Sequence, residues 1–118
     1  KSLMVKIYHN TRCGKSRTAL KVLFEAGLEV EVIEYLKIPL DKSQLQVLVT
    51  ALGIMPYDLV RRGEKIFKEL YKASHPDNID WLQAMVDYPV LMERPIIQKK
   101  GLTVVGRSPE SIQKILDY

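Results

Sequence analysis

Two short runs of strand-forming residues separated by one amphipathic helix constrain this chain more than anything else in it. Met4 to Tyr8 is apolar and rich in β-formers, and Val30, Val32 and Ile33 through Tyr35 repeat that character. Between them, Ala19, Leu20, Leu23 and Phe24 recur at the spacing of one helical face, and Gly27 supplies a helix stop. A gap of about twenty residues is far too long for a tight hairpin. It suits a crossover helix, so the two strands are expected to run parallel.

The middle third reads as helical. Lys42 to Leu52 places Leu45, Leu48, Val49 and Leu52 on one face, and Gly53 follows. A second pattern runs from Pro56 to about Tyr71 and is broken near Gly63. A third runs from Ile79 to Val86, with Trp81, Leu82, Met85 and Val86 on one face, and Pro89 ends it. His75-Pro76-Asp77-Asn78 reads as a turn, and Trp81, Leu82 and Met85 as core.

The period then changes. Arg94 to Gln98 is expected to be a strand, Lys99-Lys100-Gly101 a turn, and Leu102 to Val105 the return strand. Ser108-Pro109-Glu110 has the form of a helix start, with a capping hydroxyl, proline at the first helical position and an acid in the first turn. Ile112, Ile115 and Leu116 give that helix its apolar face. The order predicts an α/β fold with a mixed sheet of about four strands. A thioredoxin-like core fits it, as one domain over residues 1–118 with a helical insertion at about 41–88.

Composition narrows the function classes. At 118 residues the chain can bury a core without disulfides or a structural metal. Its net charge is +4, and the lysines are scattered. That pattern argues against a nucleic-acid partner and favours small anionic ligands. One cysteine, Cys13, excludes an internal disulfide and a multi-cysteine zinc site, and a count of two histidines argues against a conventional metal site. No apolar run approaches the ~18–20 residues that cross a bilayer. Lys1-Ser2-Leu3-Met4 leads straight into strand-like sequence, without the apolar core of a signal peptide. The expectation is a soluble, cytoplasmic, monomeric protein with a reduced thiol and no bound cofactor.

Cys13 is the centre of the chemistry. It follows a strand at the mouth of the predicted helix, where unpaired N–H groups from Gly14 onward and the helix dipole favour a thiolate. Arg12, Lys15 and Arg17 add positive charge, and Ser16 lies one turn on, where its hydroxyl is expected to reach the sulfur. Ionising an ordinary thiol at neutral pH takes a shift of ~2 units, or about 2.7 kcal/mol. A helix N-terminus contributes up to ~2 kcal/mol, and a cationic neighbour can supply the rest. The competing reading is a buried free cysteine acting as a small hydrophobe. Polar Thr11-Arg12-Cys13-Gly14-Lys15-Ser16 is a poor core segment for that role.

Arg94 and Arg107 form a second constellation. If Gln98 pairs with Gly101, Arg94 falls opposite Val105 and Arg107 lies at the same open end of the hairpin. Two guanidinium groups there would suit an oxyanion. Solvated or salt-bridged arginines are the alternative, with Asp87, Glu93 and Glu110 as partners. His9 either tunes the thiol or orders the loop. Arg94-Pro95 is a candidate cis peptide, which local sequence does not decide.

Three segments together resemble a known family. Tyr8-His9-Asn10-Thr11-Arg12-Cys13-Gly14-Lys15-Ser16-Arg17 is similar to the active-site loop of the glutaredoxin-coupled arsenate reductases, the ArsC family. Leu91-Met92-Glu93-Arg94-Pro95-Ile96-Ile97 resembles its second signature and Gly106-Arg107-Ser108-Pro109-Glu110 its third. The likeness runs from Val5 to Leu116.

The resemblance implies a nucleophilic Cys13, oxyanion-binding Arg61, Arg94 and Arg107, a histidine near the thiolate at His9 and a cis Pro95, while Gly14, Ser16 and Arg17 support the site by their place at the helix mouth. Arg62 adjoins Arg61, so the third arginine can fall on either. The implied reaction is reduction of arsenate to arsenite through a Cys13–arsenate adduct. A chain with no resolving cysteine draws its electrons from outside, and glutathione with glutaredoxin is the family's answer. Two other readings compete. An Spx-like regulator would bind RNA polymerase, although Ser16 fills the second position of the Cys-x-x-Cys switch. A monothiol oxidoreductase would act on glutathione mixed disulfides.

Overall fold

The computed structural model describes residues 4–118; the Lys1-Ser2-Leu3 stretch used in reading the N-terminus lies outside the described residues. The chain divides into two units, residues 1–38 with 94–118, and residues 39–93.

The first unit is built on a four-stranded sheet in the order β2-β1-β3-β4. Strand β1 (Met4–Tyr8) pairs parallel with β2 (Glu29–Ile33), and α1 (Gly14–Glu25) forms the crossover between them. Strand β3 (Ile96–Lys99) runs antiparallel to β1 and to β4 (Leu102–Val105), and α5 (Pro109–Asp117) closes the chain. The sheet is therefore mixed and the fold α/β, as the element order implied. One face of the sheet presents Val5, Ile7 and Ile97 to Ala19 and Leu23 of α1 and to Ile112 and Ile115 of α5. These residues are fully or almost fully buried, and at roughly 1.5–3 kcal/mol per large aliphatic side chain they hold the helices on the sheet. Gly27 ends α1 at φ 77°, and Ser108 caps α5 through the Ser111 N–H at 3.1 Å.

Several boundaries differ from the sequence expectation. Strand β2 stops at Ile33, because the Glu34 carbonyl accepts the Lys37 and Ile38 N–H groups and turns the chain. Tyr35 is buried in that turn, so its apolar character reports packing and not strand. The β3–β4 register is also different. Lys99 pairs with Leu102, and Ile96, not Arg94, faces Val105. The turn is only Lys100-Gly101, with Lys100 at φ 54°, so Lys99 stays in the ladder. A two-residue slip leaves every side chain on its expected face. Arg94 thus precedes the strand, and its bond to Pro95 is cis.

The second unit contains α2 (Lys42–Leu52), α3 (Lys65–Leu70) and α4 (Trp81–Asp87) with short 3₁₀ turns between them. Asp41 caps α2 through the Gln44 N–H, the Gln44 side chain answers to the Asp41 N–H, and Gly53 stops the helix at φ 71°. The pattern over Pro56 to Tyr71 is broken around Gly63, as expected, and its first part is shorter than an α-helix. Pro56–Leu59 is a 3₁₀ turn, and Val60 leaves it to bridge Met92. Two backbone bonds flank the bridge, Arg61 N–H to Leu91 O at 2.7 Å and Glu93 N–H to Leu59 O at 2.9 Å. Buried Leu59, Val60, Leu91 and Met92 reward this pairing over continued helix. Helix α4 begins two residues later than its apolar pattern, because the Asp80 side chain caps it through the Gln83 N–H. Trp81 packs against Tyr57, Phe67 and Tyr71 with ring centroids 4.9–5.7 Å away, and its indole N–H donates to Pro76 O at 2.8 Å. No helix among the described residues is long and apolar enough to cross a membrane.

Candidate active site

The loop from His9 to Cys13 links β1 to α1, and its own hydrogen bonds shape it. Asn10 folds the chain back by accepting the Cys13 N–H on its carbonyl at 3.1 Å and the Arg12 N–H on its side-chain oxygen at 2.9 Å. Its own N–H donates to the Ser16 hydroxyl at 3.1 Å. Arg17 reaches back from α1 and donates to Thr11 O at 3.1 Å. Asn10 stands outside the candidate site residues named from the sequence; an asparagine opening a polar turn is its signal there.

This geometry sets Cys13 at the N-cap of α1, with φ −94° and ψ 121°. Its sulfur stands where a serine or aspartate oxygen would cap. Sulfur is larger and a weaker acceptor than oxygen, and no conventional capping bond closes. Burial of the half-exposed sulfur pushes the thiol up. The Arg94 guanidinium, through its hydrogen bond and its charge, and the backbone N–H groups of Ser16 and Lys15 pull it down. The net result lies below the ordinary thiol value. Arg94 is the side chain that tips the balance, and the cis bond to buried Pro95 follows it directly.

Ser16 acts differently from expectation. Its hydroxyl turns inward, is fully buried, and sits 2.6 Å from His9 Nδ1 as well as accepting from Asn10. The backbone of Ser16, not its hydroxyl, serves the sulfur. His9 is 5% exposed, and burial first, with Arg17 adding to it and Glu34 opposing, holds its pKa below the ordinary histidine value. The imidazole is therefore neutral at neutral pH and lends no positive charge to the thiolate. Of the two readings of His9, the structure supports loop ordering.

The other arginines are placed separately. Arg107 follows buried Gly106 and lines a cavity with Gly14, Lys15, Thr18, Ser108, Pro109 and Ile112. A Cβ added at Gly106 would come within 2.4 Å of Ile97 Cδ1, so glycine is what lets this strand end lie against the core. Arg61 belongs to the second unit, where it pairs with Glu64 at 3.0 Å and Glu93 at 3.5 Å. Arg62 lies over the Tyr57 ring at 4.3 Å. The first unit thus gathers Cys13, Arg94, His9, Ser16 and Arg17 around one loop. Among the described residues, no group of three or more His, Cys, Asp and Glu could hold a metal ion.

Comparison with known proteins identifies the family. Residues 8–115 match the family model described as the ArsC family. The chain is 46% identical to the uncharacterized protein YfgD of Escherichia coli K12 over 114 residues, covering 95% of this chain and 96% of that protein. It is 40% identical to an arsenate reductase of Neisseria meningitidis, covering 95% of this chain and 97% of that one. Among solved structures, an arsenate reductase from Vibrio cholerae superimposes with a TM-score of 0.88 at 34% identity, covering 98% of this chain and 99% of that one. With a thioredoxin-like mixed sheet, a cysteine at the mouth of its first helix and matches along nearly its whole length, the chain belongs to the ArsC family.

Proposed function

We propose that this protein reduces arsenate to arsenite, with Cys13 as nucleophile. The observation that carries the reading is the Arg94 guanidinium on the Cys13 sulfur, which together with the helix-mouth N–H groups holds the thiol below its ordinary value. A thiolate next to a bidentate cation can attack an oxyanion that the same cation binds. The Cys13 sulfur displaces water from arsenate and forms a sulfur–arsenic(V) bond. A glutathione thiolate then attacks the Cys13 sulfur. A disulfide bond forms, the sulfur–arsenic bond breaks, and its electron pair leaves with arsenic as arsenite. A second thiol, with glutaredoxin as catalyst, releases Cys13. In sum, arsenic acid and two thiols give arsenous acid, one disulfide and one water.

Arg94 and Arg107 are the anion-binding arginines in this reading. The part of Arg61 rests on the motif match, and in its own unit Arg61 is engaged by two carboxylates. Gly14, Ser16, Arg17 and His9 hold the loop. The cytoplasm, with its glutathione pool, is the compartment where such chemistry can turn over.

The test is arsenate-dependent NADPH oxidation in the presence of glutathione, glutaredoxin and glutathione reductase. The expected result is oxidation by the native protein and complete loss in Cys13→Ser. Equal rates in the two proteins would eliminate the mechanism.

A further inference from the structure

The second unit holds a cavity that no step of the arsenate chemistry uses. It measures about 520 Å³, within the ~300–1,000 Å³ range of small-ligand sites. The 3₁₀ turns Pro56–Leu59 and Pro76–Asn78 and the first turn of α4 bound it. Its wall is flat and apolar. The Tyr57 and Trp81 rings, with centroids 4.9 Å apart, share it with Pro56, Pro76 and Ile79. Its charged lining is of one sign. Asp58, Asp77 and Asp80 border the cavity and no Lys, Arg or His does, in a chain whose net charge is +4. Lys42 already pairs with Asp80, so the charge that remains for a ligand lies at Asp58 and Asp77. Asp58 accepts the Met55 N–H at 3.1 Å, a bond that fixes its place without removing its charge, and the His75 imidazole nitrogen stands 3.8 Å from Asp77. The Tyr57 ring already attracts one cation: the Arg62 guanidinium lies 4.3 Å from its centroid, and Arg62 is not part of the cavity wall.

We propose that this cavity binds a small organic cation, a flat apolar body that carries an amidine, guanidine or amine group. The flat body lies against Tyr57, Trp81 and the prolines, and the cationic group meets Asp58 and Asp77 at the rim. A neutral molecule of the same shape gains the wall without the rim, and an anion is repelled by it. The Trp81 indole N–H donates to Pro76 O at 2.8 Å, so two parts of the wall are already tied together and little ordering is left for binding to supply. The site belongs to a different unit from Cys13 and does not depend on the arsenate reading.

The experiment titrates the full chain with benzamidine and with benzamide. The two share a ring and a planar head group, but only benzamidine is a cation at neutral pH. Trp81 is the one tryptophan of the chain, so its indole N–H gives a single, assignable NMR signal inside the cavity wall. The native protein is expected to shift that signal saturably and to bind benzamidine roughly tenfold more tightly than benzamide, through a cation–π contact and partly exposed ion pairs. The double variant Asp58→Asn, Asp77→Asn keeps the shape of both side chains and an oxygen for the Met55 N–H, and is expected to erase the preference while benzamide binds as before. Retained benzamide binding also shows that the variant's cavity is intact. Asp87→Asn removes an acid from an exposed position of α4 outside the cavity, and is expected to keep the preference. Equal affinities in the native protein, or no saturable shift with benzamidine, would overturn the proposal. So would an Asp87→Asn effect as large as that of the double variant, which would mean a general field and no site.

Discussion

The two units of this molecule both bury aliphatic side chains but differ in what else they bury. Every buried polar or charged residue among the described ones, His9, Asn10, Ser16 and Lys99, lies in the unit that carries Cys13. Burying such groups costs stability unless they are bonded, and each of them is. Lys99 donates to Ile115 O at 3.0 Å, at the C-terminal end of α5, where a positive charge is favoured. The other three are bonded within the loop and first turn that aim Cys13. The second unit buries no charged, amide or hydroxyl side chain among those described, and adds to its aliphatic core a cluster of rings around Trp81. The lesson is that the polar burial here belongs to a reactive loop and the aromatic burial to packing. That division can be broken or sharpened by experiment.

The largest effect is expected at Trp81. Trp81→Ala removes the ring around which Tyr57, Phe67 and Tyr71 pack and should cost about 3–5 kcal/mol, read as a lowered urea midpoint. Loss of less than about 1 kcal/mol would break the view that these rings hold the unit. Ser16→Ala comes next. It strands the Asn10 N–H and His9 Nδ1 in the interior and should cost about 1–3 kcal/mol despite removing only one oxygen. The same experiment should show slower alkylation of Cys13 as the loop loosens. An unchanged stability would mean that the buried bonds are not what shapes the loop.

Arg94→Gln acts on reactivity more than on folding. With the guanidinium gone, burial pushes the thiol up with less to oppose it, so the midpoint of the pH–alkylation profile moves upward and the rate at neutral pH falls. A midpoint that stays in place would remove Arg94 from thiolate stabilisation. The smallest effect belongs to His9. Its folded-state pKa lies below the ordinary value of about 6.5, so its contribution to stability is complete above that value and is lost as pH falls through the folded one. Urea midpoints followed downward from neutral pH should therefore fall more steeply for the native protein than for His9→Gln. Parallel curves would show that His9 is not held neutral.

Part of the site was legible because its cause is local. A cysteine before Gly14 and an amphipathic run places a sulfur at a helix mouth whatever the rest of the chain does. Arg94 could be suspected of binding an anion, but its bond to the sulfur joins residues far apart in sequence. The inward turn of the Ser16 hydroxyl depended on a buried histidine arriving from β1. Asn10 was missed for the opposite reason: its bonds are local, but an asparagine in a polar loop carries no apolar signal.

The sequence alone determined the order of the strands with their two covering helices, the cap at Ser108, the stops at Gly27 and Gly53, and the parallel pairing of β1 with β2. Each follows from interactions within a few residues or from the length of the intervening chain. Only the tertiary structure decided the Lys99–Leu102 register, the Val60–Met92 bridge, the end of β2 at Ile33, and the company that Cys13 keeps. Those outcomes turn on which buried partners meet. Apolar burial and low-dielectric hydrogen bonding set them, and neither acts until distant segments have packed.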